Sequence, residues 1–194
     1  MKRWIVVALL LLPFAFVSDE AFAQIDPEAK LFLGYSYLRA EVDDADEGDA
    51  HGGQVEYTYY LNRRAGFTIS AAGHWGTLEA PPNIFVVGAF DLEQIPLMAG
   101  PTFVVARSNT VDLELSLLGG ALKRSLEVPG FGNSVRDDWD PALGANLALD
   151  LRLGDRVWLR AAQPGVIFVR SGDRWETDYR IAVGLVIRSG SIIS

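Results

Sequence analysis

The chain has 194 residues, 49% of them hydrophobic, with a formal net charge of -8 and no cysteine. A length of this order suits one domain. The absence of Cys excludes a disulfide scaffold and thiolate-bound zinc, and the acidic balance argues against nucleic acid, whose phosphates call for clustered Lys and Arg. The apolar fraction is too high for a chain unable to bury a core.

Residues 1–23 read as a secretory signal. Lys2 and Arg3 form its charged start, and residues 4–17 are an uncharged apolar run. Ala21-Phe22-Ala23 then supplies the small-x-small pattern at which a signal peptidase cuts, which makes Gln24 the expected mature terminus. The run is shorter than the roughly 20 residues a membrane-spanning helix needs, and no later stretch approaches that length.

From there on the sequence alternates with period two. The first such stretch sets Leu31, Leu33, Tyr35 and Tyr37 against Gly34 and Ser36. The second sets Val55, Tyr57, Tyr59 and Leu61 against Gln54, Glu56 and Thr58. In the third, Phe67, Ile69, Ala71 and Trp75 oppose Thr68, Ser70, Ala72 and His74. The fourth, residues 97–106, is interrupted by Pro101. The fifth alternates strictly, with Val111, Leu113, Leu115 and Leu117 against Asp112, Glu114 and Ser116; the sixth runs from Leu143 to Arg152 in the same way. The seventh, residues 156–170, is interrupted by Pro164-Gly165, and the eighth sets Tyr179, Ile181, Val183, Leu185 and Ile187 against Arg180, Ala182, Gly184 and Arg188. Alternation of this kind predicts eight strands of roughly 9–13 residues. A bulge or an unpaired position is expected at each internal proline, which cannot donate to the ladder.

The connections alternate too. Asn62-Arg63-Arg64, Ser108-Asn109 and Gly154-Asp155 are tight, whereas about 43–52, 77–95, 125–140 and 171–177 are longer. Short turns at one end and longer loops at the other are the pattern of a transmembrane barrel whose termini both lie in the periplasm. The two faces fit such a barrel. One holds Glu56, Asp112, Glu114 and Asp150 together with Arg152, Arg160, Arg180 and Arg188, and is rich in Gly, Ser, Ala and Thr. The other is nearly free of charge and carries Tyr35, Tyr37, Tyr57, Tyr59, Phe67, Trp75, Phe103 and Tyr179, residues suited to the aromatic belts at a bilayer surface. The expectation is an all-β, eight-stranded, antiparallel up-and-down transmembrane β-barrel over residues 24–194. Hydrocarbon requires such a sheet to close, since an open edge leaves backbone groups unpaired. A water-soluble sandwich or lipocalin-like barrel is the alternative.

Several segments resemble the outer-membrane β-barrel domain family, the small OmpA-like and opacity-type barrels of Gram-negative envelopes. Gly34-Tyr35-Ser36-Tyr37 resembles that family's opening strand, Ala99-Gly100-Pro101-Thr102-Phe103 its mid-chain glycine-proline signature, and Leu118-Gly119-Gly120-Ala121 its fifth strand. Residues 144–154, followed by Arg156-Val157-Trp158-Leu159-Arg160 and Gln163, resemble its sixth and seventh strands. Two features depart from the pattern: Pro164-Gly165-Val166 follows Gln163, and the chain closes without the aromatic residue that helps the assembly machinery recognise a last strand. That recognition is then weaker or falls to Ile187. The resemblance implies an outer-membrane protein in contact with outer-membrane lipid and lipopolysaccharide, inserted by the assembly machinery and working as a monomer without cofactor.

Candidate chemistry is sparse. Some eight-stranded barrels modify lipid A with a His-Ser pair, but the hydroxyl on the same face as His74, Ser70, lies about 13 Å along the strand. The first loop gathers Glu41, Asp43, Asp44, Asp46, Glu47 and Asp49 around His51; a solvated acidic loop accounts for them, with a weak Ca²⁺ or Mg²⁺ contact as the alternative. Arg160, Arg180 and Arg188 are expected to pair inside the barrel with Glu56, Glu114 and Asp150, closing a lumen just wide enough for side chains. The girdle residues singled out are Tyr35, Tyr37, Tyr57, Tyr59, Trp75 and Tyr179. Together these features predict a non-enzymatic barrel with a structural or surface-recognition role that displays four acidic loops. A small conduit for ions or solutes, or a lipid A-modifying enzyme, would be the other reading.

Overall fold

The computed structural model describes residues 28–40, 48–79, 89–127 and 134–189. The expected signal segment, residues 1–23, and the acidic stretch 41–47 lie outside them. The described residues form eight strands: β1 (Ala29–Ala40), β2 (Gly48–Tyr60), β3 (Ala65–Glu79), β4 (Ala89–Arg107), β5 (Val111–Glu127), β6 (Ser134–Arg152), β7 (Val157–Ser171) and β8 (Arg174–Ser189). Each pairs antiparallel with the next, and β8 returns to β1, so the sheet is a closed up-and-down barrel without a free edge.

Period two decides which side chains go where. In β2, Gln54, Glu56, Thr58 and Tyr60 are buried in the lumen while Val55, Tyr57 and Tyr59 stand outside. In β8, Glu176, Asp178, Arg180, Ala182 and Val186 point inward, with Tyr179, Ile181, Val183, Leu185 and Ile187 outward. The barrel thus buries its charged and amide side chains within and turns an apolar wall outward, the reverse of a water-soluble barrel.

The strands are longer than the alternation alone suggested, from 12 residues in β1 to 19 in β4 and β6. Stretches read as loops belong to them. His51 sits in β2, opposite Tyr37 and Trp75, and Trp139 sits in β6 opposite Lys123. About 9–11 residues suffice to cross a bilayer, so the ladder continues beyond it with polar side chains on its outer face. The last outer connection is the shortest: β7 and β8 are joined by Gly172-Asp173 alone, Ser171 pairing with Arg174. Gly172 takes φ 58°, a left-handed conformation that favours glycine in a two-residue hairpin. With these boundaries the connections 80–88 and 128–133 contain no charged residue. Five acidic residues fall within the stretch 41–47.

The prolines behave in two ways. Gly100 and Pro101 drop out of the β4–β5 register without shifting it, while the bulge beside Pro164 falls between Arg160 and Gln163. A second bulge, between Val104 and Ala106, has no proline to announce it. It reverses the phase of β4, so that Arg107 turns into the lumen beside Asp112.

At the seam that closes the barrel, Gly34 of β1 pairs with Gly184 of β8. A Cβ on Gly184 would stand 2.3 Å from the Leu33 carbonyl oxygen and 2.4 Å from Gly34 Cα, so the two strands approach only because both positions lack side chains. Gly184→Val is expected to cost about 1–3 kcal/mol of overpacking. The check is a urea unfolding titration of the refolded barrel, in which an unchanged midpoint would contradict this account of the seam.

Candidate functional site

The lumen is filled in layers. At the end that carries the chain termini and the short turns, two walls face each other. Asp112 of β5 lies directly opposite Asp150 of β6, and Glu114 is two residues further along β5. Arg160 of β7 lies directly beside Asp150, and across the lumen Lys30 of β1 lies opposite Arg188 of β8. Like charges side by side in a sheet repel, so neither wall is stable alone.

Each wall supplies what the other lacks. Lys30 Nζ lies 3.2 Å from Asp112 and 3.6 Å from Asp150, and donates to Glu114 as well. The Arg188 guanidinium comes within 2.7 Å of an Asp112 oxygen while stacking 3.4 Å over the Trp158 ring. Arg160 Nε donates to Asp150 at 2.8 Å and Nη1 to Glu56 at 2.6 Å, with the guanidinium 4.4 Å over Phe32. Arg107, turned inward by the β4 bulge, reaches Glu28 at 3.0 Å, Asp112 at 3.1 Å and Glu114 at 3.3 Å. Tyr60 donates its hydroxyl to Glu114, and Gln54, Ser70 and Gln163 all donate to Glu56. Buried ions paired on several sides offset much of the cost of leaving water.

Of the expected pairs, Arg160 meets Glu56 and Asp150. The others are distributed differently. Glu114 is held by Lys30, Arg107 and Tyr60, and Arg188 leans on Asp112, with Asp150 at 3.9 Å. Arg180 donates to the Asn146 side-chain oxygen at 3.0 Å and forms no ion pair with the three carboxylates proposed for it. Lys30 and Arg107 were not singled out from the sequence. Lys30 sits at the very start of its strand, before any alternation is established, and the bulge disguises Arg107.

A belt of hydroxyls continues the plug. Thr58, Thr68, Thr102 and Ser116, on four successive strands, are linked by contacts of 2.7, 2.5 and 2.8 Å. Beyond them His74 Nε2 lies 2.9 Å from Ser36 Oγ. This is a His-Ser contact across the sheet from β3 to β1, which local spacing does not reveal. Both residues are fully buried in the lumen, away from the lipid-facing wall. The outer half is closed by a cluster of Leu38, Leu92, Met98, Leu118, Leu122, Ile167 and Val169 with small Ala partners. Beside it Arg124 binds Glu176 and, at 3.2 Å, Asp178.

On the outer wall, apolar side chains are bracketed by aromatic ones. Tyr57, Tyr59 and Phe67 lie toward the turn end, and Tyr35, Trp75 and Tyr179 toward the other. Trp139 and Trp175, 51% and 55% exposed, join the latter group, in strand where the sequence predicts loop. Polar tips are satisfied there: Tyr37 donates to Asp49 at 2.6 Å, and Tyr35 bonds the His51 ring, which stacks against it.

Scans against protein-family models and against curated proteins find no match. Solved structures do match. Ail, the attachment invasion locus protein of Yersinia pestis, crystallised with the heparin analogue sucrose octasulfate, is 18% identical. The match covers 85% of this chain and 100% of that one, with a TM-score of 0.57. Neisserial surface protein A is 11% identical over 82% and 96% of the two chains, with a TM-score of 0.59. The outer membrane protein OprG of Pseudomonas aeruginosa is 12% identical over 87% and 99%, with a TM-score of 0.56. At such identities the likeness is one of fold, and this chain has the fold of the small eight-stranded outer-membrane barrels.

Proposed function

We propose that the protein is a non-enzymatic integral barrel of the outer membrane, with a structural or surface-recognition role. It would be exported by residues 1–23 and would work as a monomer. The observation that carries this reading is the inversion of faces: ions and amides are packed inside, and a continuous apolar wall lies between two sets of aromatic side chains outside. In this reading Tyr35, Tyr37, Tyr57, Tyr59, Trp75 and Tyr179 set the depth of the barrel in the bilayer. Glu56, Glu114, Asp150, Arg160, Arg180 and Arg188, with Lys30 and Arg107, hold the lumen shut against ions. The partners are outer-membrane phospholipid and lipopolysaccharide, and the assembly machinery during insertion. An extracellular ligand would be met at the end of the barrel opposite the short turns.

Recognition is favoured over catalysis because the His-Ser contact among the described residues, His74 with Ser36, lies within the plug, out of reach of a lipid. It is favoured over conduction because the apolar cluster and the ion pairs occupy successive levels of the lumen. Expression of the full precursor in a Gram-negative host tests the reading. The outer-membrane fraction is expected to show a band that migrates faster unboiled than boiled, as a detergent-resistant closed barrel does. A periplasmic protein without that shift would overturn it, and steady single-channel currents in planar bilayers would favour a conduit.

A further inference from the structure

We infer that the turn end of the barrel carries a binding site for a phosphate-type oxyanion. A hollow of about 720 Å³ opens there, over the mouth of the lumen. Its lining includes the arginines Arg63, Arg64, Arg107, Arg152 and Arg188; Arg107 and Arg188 are paired with Glu28 and Asp112, and Arg152 with Asp155, while Arg63 and Arg64 stand exposed on the rim. In a chain of net charge -8, five arginines around one hollow are a local concentration, at the end of the barrel opposite Ala40 and Gly48.

The arginines are presented by an ordered rim. Asn62 Oδ1 accepts from the backbone N–H groups of Arg64 at 2.8 Å and Ala65 at 2.9 Å, which fixes the β2–β3 turn. Ser108 Oγ accepts from the N–H of Val111 at 3.0 Å and fixes the β4–β5 turn. Arg152 ties two turns together, donating to Asp155 at 2.7 Å and to the Asn109 carbonyl at 3.4 Å. Guanidiniums held in place around a concave surface suit an oxyanion, because the N–H fork matches two oxygens at once.

The shape of the hollow narrows the ligand. One side is the β4 bulge, where Val104 and Val105 line it, and Val105 is 58% exposed on the outer wall. The cavity therefore joins a basic mouth to the edge of the apolar wall. Two sources supply the matching chemistry: the phosphate of an inner-leaflet phospholipid, with its chains along the wall below Val105, or a soluble phosphate ester in the periplasm. The lipid source rests on the membrane reading above; the soluble source does not need it.

The experiment uses the refolded barrel and its Arg63→Gln/Arg64→Gln double variant, whose changes lie on the exposed rim outside the lumenal ion pairs. Arg170→Gln, exposed near the opposite end, serves as the control. Calorimetry in uncharged detergent titrates inorganic pyrophosphate, and native mass spectrometry compares retention of phosphatidylglycerol with that of phosphatidylcholine. Uptake of pyrophosphate that weakens roughly tenfold in the double variant, and not in the control, supports the site with a soluble ligand. Preferential retention of phosphatidylglycerol, lost in the double variant alone, supports it with a lipid headgroup. Binding of neither probe, or equal binding by all three proteins, overturns the inference. Either result leaves the heat-shift test of the barrel itself unaffected.

Discussion

Arg160→Met is expected to lower the unfolding free energy of the barrel by about 3–5 kcal/mol, the cost of removing one member of a buried ion-pair set. Arg160 is the point where three strands meet: β7 supplies it, β6 supplies Asp150 at 2.8 Å and β2 supplies Glu56 at 2.6 Å. Without the guanidinium, Glu56 keeps only neutral donors, those of Gln54, Ser70 and Gln163. Asp150 keeps Lys30 at 3.6 Å and Arg188 at 3.9 Å. Two carboxylates are then under-compensated where water is scarce. Methionine retains the length of the side chain, so the loss reports charge and hydrogen bonding more than a cavity. Urea titration in micelles, followed by tryptophan fluorescence, provides the measurement. Adding Glu56→Gln to Arg160→Met should recover part of the loss, since one stranded charge disappears. A loss below about 1 kcal/mol in the single variant would place Arg160 among ordinary surface residues and sink the account of the plug.

The parts of this structure legible in the sequence are those that depend on unbroken alternation. β5 shows why: Asp112, Glu114 and Ser116 point inward from a stretch with strict period two, and the assignment of the side chains from Val111 to Leu117 follows from any one of them. Legibility ends where the phase slips. Counting by twos from Thr102 puts Arg107 outside; the bulge between Val104 and Ala106 puts it among Glu28, Asp112 and Glu114. It ends again where pairing is set by curvature. That Ser36 meets His74, or that Arg180 meets Asn146 in place of a carboxylate, depends on how eight strands roll into a cylinder, which no local spacing encodes. Strand ends were the third difficulty. Polar residues such as Asp91, Asp138 and Glu176 resemble loop residues, yet they continue the ladder above the apolar band. Trp139 and Trp175 were assigned to loops for the same reason.

The second large effect separates a membrane wall from a water-facing one. Leu117 lies midway along β5, between Val111 at the turn end and Lys123 toward the other, and is 46% exposed on the outer face. If that face meets hydrocarbon, Leu117→Arg places a cation near the bilayer midplane and should cost about 2–4 kcal/mol. If it meets water, the same change is a surface substitution and should fall within about 0.5 kcal/mol. Leu153→Arg is the companion, since Leu153 is exposed in the β6–β7 turn, where a charge reaches water in either case. Refolding into phospholipid vesicles, with urea unfolding of each variant, measures the difference. A large loss for Leu117 with little for Leu153 gives the depth dependence that only a bilayer produces. Equal, small effects at both positions would mean that the apolar wall faces water. The inward charges would then be the core of a barrel that does not cross the membrane.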